Sequence, residues 1–239
     1  MRHFVILAPA LAIAACGSNA SAAHDDGSQI TRNFPIGSFR SVELAGSDNV
    51  HVVRGDRVGV VASGPASVID RLDIRVEGNT LKINRKRGGW NMSWGSSRGA
   101  VVTVTTPGID AAALAGSGNL TVDRASGESF KGSLAGSGKL ILTDVRVTNV
   151  ALDLAGSGDL SASGAVQNAK MAVGGSGNLS AAGLVSQTAD ISISGSGNAQ
   201  AAARGHASLS IAGSGNITVK GTANCAISKT GSGDARCLP

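Results

Sequence analysis

The chain has 239 residues, 42% hydrophobic and only 15% charged, which excludes wholesale disorder and suits one large domain or two small ones. It has no Tyr, four Phe, two Trp and 34 Gly, so its core must be built from Ala, Val, Leu and Ile in thin layers. The formal charge of +5 suits anionic lipid or acidic polysaccharide and is also ordinary on a soluble surface; nucleic acid is not expected as a partner, because rings for base stacking are scarce.

Residues 1–15 read as a lipoprotein signal peptide. Met1-Arg2-His3 is a short basic start and Phe4 to Ala15 an apolar run, too short for the roughly 20 helical residues of a membrane span. The run ends in Ile13-Ala14-Ala15-Cys16, which resembles the bacterial lipobox. Cys16 would then become the lipidated N-terminus and the point of membrane attachment; ordinary cleavage beside an incidental Cys is the alternative. Acyl chains in pairs anchor stably where one binds marginally. Gly17, in place of Asp after that Cys, favours the outer membrane, facing the periplasm or the cell surface. Residues 16–29 are small and polar and read as a flexible tether.

Residues 30–239 form the expected folded domain, irregular over 30–113 and regular over 114–239. Val42 and Leu44 lead into Gly46-Ser47-Asp48-Asn49, and Val50 and Val52 leave it. Val58 to Val61 is a short strand, Ala66 to Leu72 a weak helix, and Asp73 to Ile83 a hairpin around Gly78-Asn79. Ala100 to Thr106 is a strand closed by Pro107. Between Gly46 and Gly116 there is room for three or four irregular coils, which would cap the repeats.

The repeats are the main signal. Gly-Ser-Gly, or a one-residue variant, recurs with its first Gly at 46, 116, 136, 156, 175, 195, 213 and 231. Asn or Asp usually follows (Asn119, Asp159, Asn178, Asn198, Asn216, Asp234), with Lys139 the exception. Leu114, Leu134, Leu154, Val173, Ile193 and Ile211 stand two residues before the turns; Leu160, Leu179 and Ile217 stand just after three of them. Alternation of period two on both sides of a glycine turn marks half-buried strands. Two strands of about five residues, the turn and a second loop fill one repeat. The prediction is an all-β parallel β-solenoid (a β-helix) with in-register coils of 18–20 residues, each too thin to be stable alone.

Cys225 and Cys237 lie six residues on either side of Gly231, both facing inward in the last coil. A disulfide across a narrow interior is expected in an oxidising compartment, with buried free thiols as the alternative. Lys229 replaces the apolar inward residue there and suits an end cap.

The chemistry-bearing residues are sparse. Asp144, Asp153, Asp159 and Asp190 are the best available carboxylates for a glycan-cleaving site, which needs two converging on one face. The Asn column lacks the charge and nine-residue period of calcium-binding repeats. His3, His24, His51 and His206 are too scattered for zinc, so neither metal nor cofactor is expected. One segment stands apart: Arg85, Lys86, Arg87, Trp90, Trp94 and Arg98 combine rings that stack on sugars or meet a lipid interface with cations that attract phosphate or uronate. It is the candidate ligand-binding loop, the alternative being a loop that covers a solenoid end.

At Leu114-Ala-Gly-Ser-Gly-Asn-Leu120 and its successors, at Pro107 and at the signal-lipobox start, the sequence resembles the head GIN domain family, labelled putative auto-transporter adhesin. The resemblance covers roughly residues 33–222 and implies a β-helical envelope protein, with no established site to transfer. The expected function is non-enzymatic binding or adhesion in the cell envelope, with envelope polysaccharide or a surface protein as partner. A carbohydrate-active β-helix enzyme (lyase or hydrolase) and a purely structural envelope protein are the alternatives.

Overall fold

The computed structural model describes residues 28–86, 99–222 and 224–239. Short alternating segments open it: β1 (Gln29–Phe34), β2 (Ser41–Gly46), β3 (Asn49–Arg54) and β4 (Gly59–Pro65). The helix shrinks to one turn, α1 (Ala66–Ile69), because Leu72 is drawn into the next strand. The hairpin is present as β5 (Leu72–Glu77) and β6 (Thr80–Arg85), turning at Gly78 with φ +61°, a conformation natural to glycine. β7 (Val101–Thr106) stops before Pro107, and β8 (Ala111–Gly116) enters the regular repeats.

Those repeats are β9 (Asn119–Gly136), β10 (Lys139–Gly156), β11 (Asp159–Gly175), β12 (Asn178–Gly195) and β13 (Asn198–Gly213). The last coil is split into β14 (Asn216–Lys220), β15 (Cys225–Thr230) and β16 (Asp234–Leu238). Each coil pairs in parallel with the next, like residue on like residue: Leu120 on Leu140, Leu140 on Leu160, Leu160 on Leu179. The turn glycines stack likewise, 46 on 116, 116 on 136, and onward to 213. Gly156 shows why they are glycine: its φ is +123°, and a Cβ there would lie 2.5 Å from the Gly136 carbonyl oxygen. The β-solenoid is therefore in place.

One side of the coil differs from expectation. The second loop of each repeat is itself paired β-structure, with Val145 between Ala125 and Gly164, and Val147 between Gly127 and Val166. Two consecutive outward residues, 143–144 and again 148–149, mark bends between three inward-facing stretches. Leu140 and Leu142, then Val145 and Val147, then Val150, Leu152 and Leu154 are all buried. Each coil thus has three sides, and the strands run 16 to 18 residues because they continue through the corners. The interior is one continuous aliphatic core, stabilised by burying apolar columns that water would otherwise contact.

The N-terminal part is not a run of three or four irregular coils. β2 and β3 stack directly on β8 and β9, Gly46 on Gly116 and Asn49 on Asn119, across 70 residues of sequence. The intervening chain folds back over the other edge of that first coil. β6 lies parallel to β2 and β7 parallel to β3, so together they make one more rung. β4 then pairs antiparallel with β7 and β1, and β5 antiparallel with β6. Reversed strands cannot propagate the parallel stack, so they close that end. The opposite end has no such cover among the described residues. There, Lys229 stands directly on Ile211 at the inward position, and its ammonium reaches the Gly233 carbonyl at 3.3 Å.

Candidate functional site

The corner at 148–149 recurs in every regular coil, and it creates a long depression on the surface. Seven residues before successive turn glycines stand Ser129, Asn149, Asn168, Thr188 and His206, stacked in one column. Five residues before the same glycines stand Lys131, Ala151, Lys170, Asp190 and Ser208, in a second outward column. Between them Phe130, Val150, Ala169 and Ala189 turn inward and are 2–3% exposed. Two raised columns over a receding one form a groove of about 540 Å³ that runs along the solenoid axis across five coils. At strand spacings of about 4.8 Å its floor is roughly 20 Å long.

The first rim is a hydrogen-bonded ladder. The Asn168 amide donates to Asn149 Oδ1 at 2.9 Å, and the Thr188 hydroxyl donates to Asn168 Oδ1 at 2.8 Å. His206 Nδ1 lies 3.3 Å from Asn224 Oδ1. The second rim carries the charge. Lys131 pairs with Asp153 at 3.5 Å, while Lys170 faces Ala151 and Asp190 in its column. At one end Asp110 is held by the Arg40 guanidinium through two hydrogen bonds of 2.5 Å, which raise the Arg40 pKa above its ordinary value.

The carboxylates do not converge. Asp190 faces the groove, whereas Asp159 belongs to the turn column and accepts from Asn178 at 3.2 Å. Asp144 sits at another corner, between Arg146 at 2.8 Å and Arg124 at 3.0 Å. The hydrogen bond from Arg146 is the chief cause that holds its carboxyl below the usual range. No group of three or more metal-ligating side chains occurs among the described residues.

Of the candidate ligand-binding loop, Arg87, Trp90, Trp94 and Arg98 lie outside the described residues, as does Cys16. Arg85 and Lys86 are placed, and both serve the fold. Arg85 ends β6 and donates to both oxygens of Asp48, at 2.6 and 3.0 Å. Asp48 is only 1% exposed and also accepts from the Ala100 amide at 2.8 Å. A carboxylate so buried needs a counter-charge, and Arg85 supplies it rather than projecting toward a ligand. Lys86 donates from its backbone to the Arg71 carbonyl at 2.8 Å and from its ammonium to that of Asp70 at 3.4 Å. Cys225 and Cys237 meet in the last coil, their sulfurs in bonding contact and their Cα atoms 6.6 Å apart, stacked on Ala207 and Val219.

The groove was not anticipated, yet a signal for it exists. Polar residues recur seven positions before the turn glycines with the same period as the glycines themselves.

The family model described as putative auto-transporter adhesin, head GIN domain, matches residues 38–223. The chain belongs to that family. Solved structures resemble it over nearly their whole length. A putative adhesin from Bacteroides fragilis NCTC 9343 superposes with a TM-score of 0.80 at 20% identity, over 89% of this chain and 97% of that one. A putative lipid binding protein from Parabacteroides distasonis ATCC 8503 gives 0.72 at 23% identity, over 90% and 98%. A putative adhesin from the same strain gives 0.67 at 18%, over 90% and 98%. At these identities the likeness is one of fold. Among curated proteins none matches the chain. Membership of an adhesin-type head GIN family points to an envelope or surface protein; among the described residues, no helix is long and apolar enough to cross a membrane.

Proposed function

We propose that this head GIN domain protein is an exported lipoprotein of the outer membrane, held through a lipidated Cys16, that binds an extended envelope polymer in its axial groove without chemically altering it. The groove carries the reading: five coils present two outward columns, polar at all but Ala151, over an apolar floor, a geometry that suits a chain molecule lying along the axis. The signal-like residues 1–15 and the lipobox-like Ile13 to Cys16 support export and anchoring. The Cys225–Cys237 pair supports an oxidising compartment, where it would persist as a disulfide. The dispersal of Asp144, Asp153, Asp159 and Asp190 supports binding over hydrolysis.

The test is co-sedimentation of the intact protein with purified envelope polysaccharide, comparing wild type with Ala151→Trp. Ala151 faces outward at mid-groove, so a bulky ring there obstructs the channel without entering the core. Retention that falls at least fivefold supports the groove, that loss being about 1 kcal/mol of binding; unchanged retention removes it. Anchoring is read separately, by palmitate labelling of wild type and Cys16→Ser in the native host.

A further inference from the structure

We infer that the groove takes a linear acidic polysaccharide whose negative charges fall on every second sugar, a conclusion that rests on the groove being the binding site. The second rim reads, coil by coil, Lys131, Ala151, Lys170, Asp190, Ser208. Its two cations are thus separated by one uncharged rung. Two strand spacings make about 9.6 Å, close to the length of a disaccharide in an extended chain. A polymer laid along the axis advances by about one sugar per coil, so carboxylates on alternate sugars meet Lys131 and Lys170 in turn.

Asp190 gives the selectivity. It occupies the rung immediately after Lys170, where a polymer charged on every sugar would bring a carboxylate against a carboxylate. An alternating polymer places a neutral sugar there, whose hydroxyl or amide hydrogen Asp190 can accept. Like-charge juxtaposition of this kind suppresses wrong partners and complements the attraction that selects right ones.

Both cations are available. Lys170 is exposed and is in none of the ion pairs among the described residues. The Lys131–Asp153 pair is 62% and 50% exposed, and such a surface pair is weak enough to yield to a ligand anion. On the facing rim, the ladder bond uses one of the two amide hydrogens of Asn168. The other remains for sugar hydroxyls, while Val150, Ala169 and Ala189 leave a smooth floor for the C–H faces of the rings.

Calorimetry on the intact protein at low salt distinguishes the cases with three soluble oligosaccharides of equal length: hyaluronan, chitin and polygalacturonate fragments. The expected result is binding of the alternating hyaluronan fragment, weakened about five- to tenfold by Lys170→Ala or Lys131→Ala and weakened further by salt. Asp190→Asn is expected to admit polygalacturonate. The inference is overturned if the hyaluronan fragment does not bind, if the chitin fragment binds as tightly with both lysine variants neutral, or if polygalacturonate binds wild type equally well. In each of those cases the groove reading still stands when Ala151→Trp abolishes retention of envelope polysaccharide, and falls with it when that variant has no effect.

Discussion

Arg85 and Asp48 form a two-pronged ion pair in which the carboxylate is buried and the guanidinium part-exposed. Asp48 stands where later turns have their second glycine, and it reaches three parts of the chain: its own turn, the end of β6, and the Ala100 amide just before β7. The ends of residues 86–100 are thereby fastened to one side chain.

Removing only one partner should therefore cost more than removing both. Arg85→Ala leaves a buried carboxylate with the Ala100 amide alone and is expected to destabilise by about 2–4 kcal/mol, at or below the range for a broken buried pair because Arg85 reaches solvent. Asp48→Gly combined with Arg85→Ala restores a Gly-Ser-Gly turn and should recover part of that loss. Urea unfolding of both single variants and the double variant measures the coupling.

Gly156→Ala should destabilise by about 2–3 kcal/mol, since a side chain at φ +123° is strained and its Cβ meets the carbonyl of the coil beneath. Ser157→Ala, one residue on and facing solvent, should stay within about 0.5 kcal/mol. Thermal melts of the pair separate backbone need from side-chain need in the turn column.

Breaking the Cys225–Cys237 pair should act locally. The bond closes 12 residues, and the loop-entropy model gives about 3 kcal/mol. In Cys225→Ser/Cys237→Ser, amide exchange is expected to accelerate over 225–238 while β9 to β12 keep their protection. Uniform loss of protection would show that the last coil nucleates the rest.

Lys229→Ile should promote self-association. The substitution continues the inward column Leu154, Val173, Ile193, Ile211 to an uncovered edge, next to Ile227 at 48% exposure. Sedimentation velocity should show concentration-dependent oligomers absent from wild type; a monomer at all concentrations would deny lysine a protective role.

The coil period, turn column and inward leucines were legible because stacking imposes one rule on every repeat. Gly136, Gly156 and Gly175 meet the same backbone contact, so each writes the same letter in the sequence. The third side was hidden: its inward position holds Ala125, Val145, Gly164 and Leu184 in turn, too varied for alternation to be visible. A cap over 30–113 was legible, but the way it is built was not. Antiparallel pairing of β4 with β7 and of β5 with β6 depends on contacts between distant segments, and strands Val58 to Val61 and Ala100 to Thr106 look alike whether they extend a stack or close it. The groove lies between these cases, since its columns are periodic but tolerate Asn, Thr, His or Ser, so only coordinates reveal that they share a rim.

Because each bend touches only the bend beneath and the bend above, whole coils are interchangeable units of length. Duplicating one internal coil would lengthen the channel by one strand spacing, about 4.8 Å, while leaving the closed end and the stapled end as they are. A descendant lineage could thus retune the length of its groove by tandem copying of about twenty codons, with no new fold to invent.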